Sequence, residues 1–274
     1  SGGELQRVAI AACILKKANL YIFDELTSFL DIKQRMNTAK IIKELADDNT
    51  AVLVIEHDLI TLDYMTDLVH VMFGEAGAYG VVSLPKSSKE GINEYLDGYL
   101  RQENMRFRSY PIKFEIRSSI KAKHEKFLTS WNDMKKTQGD FSLSIKEGGI
   151  SRNEIVGIVG ENGTGKTTFA RILSGETTQD SGEIVSKVKI SYKPQYIDTE
   201  STELVMNVLH ETVKKYNSEL IHPLEITSLL QKQINQLSGG ELQRVAIAKC
   251  LTEQADVYLL DEPSAYLDVE QRLT

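Results

Sequence analysis

Residues 160–167 read Gly160-Glu161-Asn162-Gly163-Thr164-Gly165-Lys166-Thr167. They fit the pattern G-x-x-x-x-G-K-[ST]. The preceding stretch, EIVGIV (154–159), predicts a buried strand, and the following residues predict a helix over 166–174. That context makes the glycine run a phosphate-binding loop. Gly160, Gly163 and Gly165 let backbone N–H groups turn inward around phosphate oxygens. The helix that follows adds the positive end of its dipole. Lys166 is expected to reach β- and γ-phosphates and Thr167 to ligate Mg2+. Asn162 and Thr168 are counted with them as nucleotide-binding positions.

Such a loop needs a second magnesium contact and a group that positions water. VYLLD (257–261) followed by Glu262 provides both. Asp261 falls at the C-terminal end of an apolar strand, where ligands collect in open α/β sheets, and is expected to hold Mg2+ through water. Glu262 is the candidate base or water-orienting carboxylate. Gln195, closing the run SYKPQ, is a further candidate for the metal and the attacking water. His57 follows the apolar run AVLVI (51–55), and its neutral imidazole could bond a γ-phosphate.

The chain also contains an internal repeat. SGGELQRVAIAAC (1–13) recurs as SGGELQRVAIAKC (238–250), and residues 1–37 aligned with 238–274 give 20 identities in 37 positions. Asp24-Glu25 fall on Asp261-Glu262, and Asp31 falls on Asp268. Asp24 is therefore a second metal candidate and Glu25 a second catalytic carboxylate. The chain is expected to begin inside one unit and stop inside a homologous second one. Ser-Gly-Gly before a helix is itself an anion-binding terminus. Because one phosphate loop per unit suffices, this spare terminus implies a site shared between two units. That makes Ser1, Gly2, Gly3 and Glu4, and likewise Ser238, Gly239, Gly240 and Glu241, candidate nucleotide contacts.

Near-continuous apolar strands (20–24, 51–55) alternate with helical periodicity (4–16, 32–47). They predict an α/β fold with a mostly parallel sheet covered on both faces. Further helices are expected over 203–216 and 241–251, and strands over 112–117, 141–146 and 183–192. The chain has 274 residues, 39 acidic and 32 basic, for a net charge of -7. That balance excludes a protein that simply coats nucleic acid. No run approaches the ~18 apolar residues of a membrane helix. The two cysteines, Cys13 and Cys250, cannot build a disulfide framework or a cysteine-ligated cluster. They fit a reducing, cytoplasmic setting.

GENGTGKT, Gln195, LSGGELQR (237–244), YLLDEPSAYLD (258–268), FDELTSFLD (23–31) and Glu56-His57-Asp58 together resemble the ATP-binding cassette ATPases. DLITLDYMTDLVHVMFGEAGAYGVVSLP (58–85), KEGINEYLDGYLRQENMRFR (89–108), SYKPQ and DEPSAYLDVEQR (261–272) narrow the resemblance to the ribosome-recycling ATPases, the RNase L inhibitor family. It implies P-loop cassettes in tandem, each with a helical subdomain, ATP and Mg2+ as ligands, and an iron–sulfur domain elsewhere in family members. It also implies ribosomal subunits, ribosomal RNA and a release factor as partners. In this reading Lys166, Thr167, Gln195, Asp261 and Glu262 would face Ser1, Gly2, Gly3 and the Asp31 loop. Asp24, Glu25 and His57 would face Ser238 to Glu241, with Asp268 the counterpart of Asp31.

The expected organisation is 1–90 from the first nucleotide domain, 91–110 as a hinge, and 111–274 from the second, both domains truncated. One departure is DELT (24–27), where the second unit has DEPS (261–264). Without the proline, the backbone at Glu25 is expected to be looser, unless Leu26 simply packs. Trp131 and Phe141 are candidates to stack on adenine. The stretch 101–126 carries eight Lys/Arg and three Asp/Glu and is either an RNA-phosphate contact or a solvated face. The competing readings are a transporter ATPase subunit and a catalytically incomplete interaction module.

Overall fold

A computed structural model describes residues 2–75, 78–113, 127–186, 188–195 and 199–272. Contacts divide the chain into two compact units, Ser1–Ser118 and Ser119–Thr274.

The first unit opens with helix α1 (Gly2–Ile14) and strand β1 (Leu20–Asp24), followed by α2 (Ile32–Leu45), β2 (Ala51–Ile55) and α3 (Leu59–Met65). β1 and β2 pair in parallel, Leu20 opposite Ala51 through Asp24 opposite Ile55. Parallel strands need a crossover, and α2 supplies it. Asp31 caps α2 by accepting from the Gln34 N–H at 2.8 Å, and Asp58 caps α3 in the same manner.

All three helices lie on one face of the pair. Tyr21 and Phe23 are buried with Leu26, Ala39, Ile42, Leu62 and Met65, and Ile10 and Ile14 pack against them. Leu20 and Ile22, pointing the other way, are 55% and 57% exposed. The expectation of a strand covered on both faces is thus corrected. With every helix of the unit on one side, β1 alternates like a one-faced strand.

The rest of this unit is short antiparallel structure: β3 (Leu68–Val69), β4 (Met72–Glu75), β5 (Tyr79–Val82), β6 (Lys86–Ser87), helix α4 (Ser88–Asp97), β7 (Tyr99–Leu100) and β8 (Met105–Arg106). α4 starts on a Ser87 cap and ends on Gly98 in the left-handed conformation. It therefore runs across residue 90.

The second unit begins with β9 (Thr129–Trp131), β10 (Met134–Gln138), β11 (Phe141–Ile145) and β12 (Gly148–Ile150), paired antiparallel as β9–β12 and β10–β11. Helix α5 (Lys166–Ser174) follows the glycine loop and packs on β13 (Ile190–Lys193). After α6 (Val205–Val208) and α7 (His210–Lys215) come α8 (Gly239–Thr252) and β14 (Val257–Leu260). β13 and β14 are parallel.

Val205, Leu209, Ile221, Ile226, Leu229 and Ile234 form a helical core closed by Leu242, Val245 and Ala248 of α8. The helix expected over 203–216 is broken at Leu209, which is fully buried with φ -105° and ψ 20°. Packing of that side chain outweighs helix continuity. The expected strand 154–159 is not formed. No strand among the described residues pairs with it, and Ile155 and Val159 are 95% and 86% exposed. Of the expected strands over 183–192, β13 is the one formed among the described residues, with isolated bridges at Ser181 and Ile184. Much of 112–117 lies outside the described residues. The α/β class holds, and among the described residues parallel pairing is found in the two strand pairs that lead into the acidic residues.

Candidate functional site

The glycine loop adopts the backbone its composition requires. Gly163 and Gly165 have φ of 78° and 93°. At Gly165 any Cβ would also come within 3.0 Å of Phe141 and Leu143. Lys166 reaches back across the loop and donates to the Gly160 and Glu161 carbonyls at 2.8 and 2.7 Å. Its ammonium is therefore held at the loop mouth. Thr167 and Thr168 occupy the first turn of α5.

Phe141 lies against the loop, whereas Trp131 stacks edge-on to Phe169 of α5 at 5.4 Å and donates its indole N–H to the Lys146 carbonyl at 2.9 Å.

β13 lies between α5 and β14 in the packing order. Asp261 follows β14, its N–H bonded to the Lys193 carbonyl at 3.0 Å. Asp261 Oδ2 is buried with no hydrogen-bond partner. A buried carboxylate oxygen left in that state is costly unless a ligand completes it, and it suits a hard, oxygen-seeking cation such as Mg2+. Among the described residues no group of three acidic, His or Cys side chains could cage a metal.

Burial pushes the Lys193 ammonium below its ordinary value, with Asp261 and Glu262 opposing. Burial raises the Tyr192 hydroxyl, and Asp261 adds to the effect. Gln195 is half-buried two residues past β13.

In the first unit, Asp24 ends β1 and Glu25 steps off the sheet beside the end of β2. The Glu25 N–H bonds the Ile55 carbonyl at 2.8 Å, and the Thr27 N–H bonds Glu56 Oε1 at 2.7 Å. This brings His57 Nε2 to 3.5 Å from Glu25 Oε1, although 31 residues lie between them. Asp58, next in sequence, accepts from Arg35 at 3.0 Å, and Arg35 also donates to the Leu30 carbonyl at 2.8 Å. The loop holding Asp31 is thereby tied to the segment holding His57. In the second unit, Arg272 donates to the Leu267 carbonyl at 2.8 Å in the same way, and Asp268 accepts from the Gln271 N–H.

The loosening expected at Glu25 is not seen. Glu25 and Glu262 have φ of 46° and 47°, and Leu26 is buried where the second unit has Pro263. Leu26 simply packs.

The glycine pairs have a use that the phosphate argument missed. A Cβ on Gly3 would sit 2.7 Å from the Phe29 carbonyl, and one on Gly240 would sit 2.8 Å from the Tyr266 carbonyl. The pairs let the turn after each acidic dipeptide close onto the start of α1 or α8. Ser238 and Glu241 form a reciprocal cap, and Glu241 also pairs with Lys232 at 2.8 Å. Both carboxylate oxygens of Glu241 are thus committed within its own unit. Glu4 holds the matching place in α1, and Ser1 lies outside the described residues. Spacing alone also missed Gln6 and Gln243, although the repeat that carries both was the available signal.

The ABC transporter family model matches residues 143–265. Over its full length the chain is 53% identical to an uncharacterised ABC transporter ATP-binding protein of Methanocaldococcus jannaschii, covering 46% of it. It is 43% identical to translation initiation factor RLI1 of Saccharomyces cerevisiae, again covering 46%. Half of the chain is 40% identical to ABC transporter E family member 3 of Arabidopsis thaliana and covers 82% of that protein. The chain belongs to the ABC transporter E family.

Solved members of this family fit it closely. An archaeal ribosome recycling factor, crystallised with the ribosomal stalk protein aP1, superposes with a TM-score of 0.90 at 49% identity over the whole chain and 54% of that structure. A ribosome-bound archaeal assembly with Pelota gives 0.92 at 49% identity over 99% of the chain and 47% of its counterpart. The chain spans about half the length of the curated relatives that it matches from end to end. Its α/β architecture is that of a P-loop ABC ATPase domain. No helix among the described residues is long and apolar enough to cross a membrane.

Proposed function

We propose that this chain forms parts of two ABC cassettes that bind and hydrolyse ATP, and that their closure drives ribosomal subunits apart after termination. The observation that carries the catalytic reading is the unpartnered buried Asp261 Oδ2, adjoining Glu262 and one strand away from the helix of the phosphate loop. Asp261, Thr167 and Gln195 would hold Mg2+, which when bound neutralises phosphate charge. Lys166 would bind β- and γ-phosphate oxygens. Glu262 would orient water and accept its proton, and Glu25 and His57 would do the equivalent work in the other site.

Each ATP would lie between the phosphate loop of one cassette and the glycine-headed helix of the other. Asp24 would serve the site completed by Ser238, Gly239 and Gly240. Gly2, Gly3 and the Asp31 loop would complete the site at Lys166. Phosphoryl transfer is mostly positioning and electrostatics, so closure that excludes water is the step able to carry mechanical output. The relatives' association with ribosomal stalk protein and Pelota supports a cytoplasmic, ribosome-bound role with a release-factor-like partner. The basic stretch 101–126, of which 114–126 lie outside the described residues, is a candidate RNA contact.

The test is ATP turnover and subunit separation on sucrose gradients by the full-length natural protein with ribosomes. Glu262→Gln should bind ATP yet stop turnover at its site. Unchanged turnover there would overturn the assignment of Glu262, and intact ribosomes at full ATP turnover would overturn the ribosomal reading.

A further inference from the structure

Gln243 is 2% exposed, and its single amide nitrogen donates to two successive carbonyls, Glu262 at 2.8 Å and Pro263 at 2.9 Å. In the other unit, Gln6 does the same to Glu25 at 3.2 Å and Leu26 at 3.3 Å. Both glutamates hold a left-handed backbone, with φ of 46° and 47°. A side chain with a Cβ persists there only when its surroundings over-determine the conformation.

Proline is not the determinant, because Leu26 replaces it with no change in φ. What the two units share is the glutamine. It also links two places. Gln243 lies just over one turn into α8, whose N-terminus is Ser238-Gly239-Gly240, and Gln6 sits at the same point of α1. A displacement of the glycine-headed end of either helix is therefore delivered, through one amide group, to the carbonyl of the carboxylate that faces water.

We propose that Gln243 and Gln6 are positioning residues that couple the N-terminus of each glycine-headed helix to the catalytic glutamate of its own unit. Resting on the head-to-tail reading above, this makes each glutamine a reporter of nucleotide held by the opposite cassette. ATP engaged by the helix end in one site sets the geometry of the base in the other. Neither glutamine is among the residues assigned to nucleotide above, so their loss should act on turnover and not on binding.

The experiment uses the full-length natural protein carrying Gln243→Met in a Glu25→Gln background, so that turnover reports the Glu262 site alone. Methionine keeps the length and packing and removes both donors. Single-turnover hydrolysis is expected to fall by roughly 10- to 100-fold, as for a base misplaced by a fraction of an ångström to about one ångström. Affinity for a fluorescent ATP analogue and the melting temperature should stay close to those of the background protein. Gln6→Met, at a more exposed position, is measured in a Glu262→Gln background and should behave likewise at the Glu25 site.

Background-level hydrolysis in both variants overturns the inference. So does a rate loss matched by equal losses of ATP affinity and melting temperature, which would make the glutamines merely structural. Full hydrolysis at the Glu262 site in Glu262→Gln alone would overturn the functional reading instead, so the two failures are distinguishable.

Discussion

Asp58 offers a place where cap, ion pair and pH dependence can be separated. Its Oδ1 accepts from the Ile60 and Thr61 N–H groups at the start of α3, and its Oδ2 accepts from Arg35. Loss of such a cap costs about 1 kcal/mol. The Arg35 pair has side chains 34% and 18% exposed, so solvent screening leaves it about 0.5 kcal/mol. Asp58→Ala should therefore destabilise the first unit by about 1.5 kcal/mol. Asp58→Asn retains the cap and should lose only about 0.5 kcal/mol.

Burial raises the Asp58 carboxyl, but the Thr61 N–H and Arg35 together more than offset it, so its folded value lies below 3.8. The folded state then binds the proton less readily than the unfolded state. The stabilisation is present above pH 3.8 and is lost as pH falls through the lowered folded value. Hydrogen exchange of the amides in 59–66, read beside urea midpoints, measures both quantities. Equal losses for Asn and Ala, or no loss for Ala, would refute the division into cap and pair. A wild-type acid profile in Asp58→Ala would refute the linkage.

Gly240→Ala should lower the melting temperature and turnover together, because its methyl would meet the Tyr266 carbonyl at 2.8 Å. Overpacking of this kind costs about 1–3 kcal/mol, and calorimetry of Gly240→Ala and Gly3→Ala checks it. Lys86 is buried against Glu94 at 3.3 Å and Glu103 at 3.0 Å. Lys86→Met should cost about 3–5 kcal/mol by stranding a buried charge, and Lys86→Met with Glu94→Leu should recover most of it in urea titrations. Lys193 is depressed by burial, so the unfolded state holds its proton longer. Stability should rise as pH climbs from the folded value towards 10.5, and Lys193→Met should flatten that rise in denaturation curves.

Where local pattern and packing agreed, the fold was legible. AVLVI is a strand over the range its residues indicated, and KTTFARILS is a helix following a loop that only glycines could make. EIVGIV has an equally apolar pattern yet forms no strand, because a strand also needs a neighbour to bond, and pattern does not supply one. Ile22 and Leu53 looked like buried residues but are 57% and 49% exposed, since sequence cannot tell which face the helices will cover. The acidic dipeptides stand out through the repeat and His57 through its place after AVLVI, and the fold sets His57 beside Glu25. The glutamines were not, because a polar residue in a helix normally reads as solvent-facing, and only the fold shows Gln243 turned inward onto Glu262. Lys86 and Glu94 were missed for the same reason.

The pairing of β1 with β2 has a consequence for how this chain can vary in length. Asp24 stands opposite Ile55, and the 3.5 Å separation of Glu25 from His57 is inherited from that register. A one-residue insertion within either strand would displace the pair by about 3.3 Å and turn core-facing residues of that strand outward, Tyr21 and Phe23 in β1 or Val52 and Val54 in β2. The same residue inserted at the exposed turn near Asp48 would leave the ladder untouched, because loop closure depends only weakly on length. Length changes between these two positions should therefore be confined to that turn, while the strands themselves act as a fixed ruler.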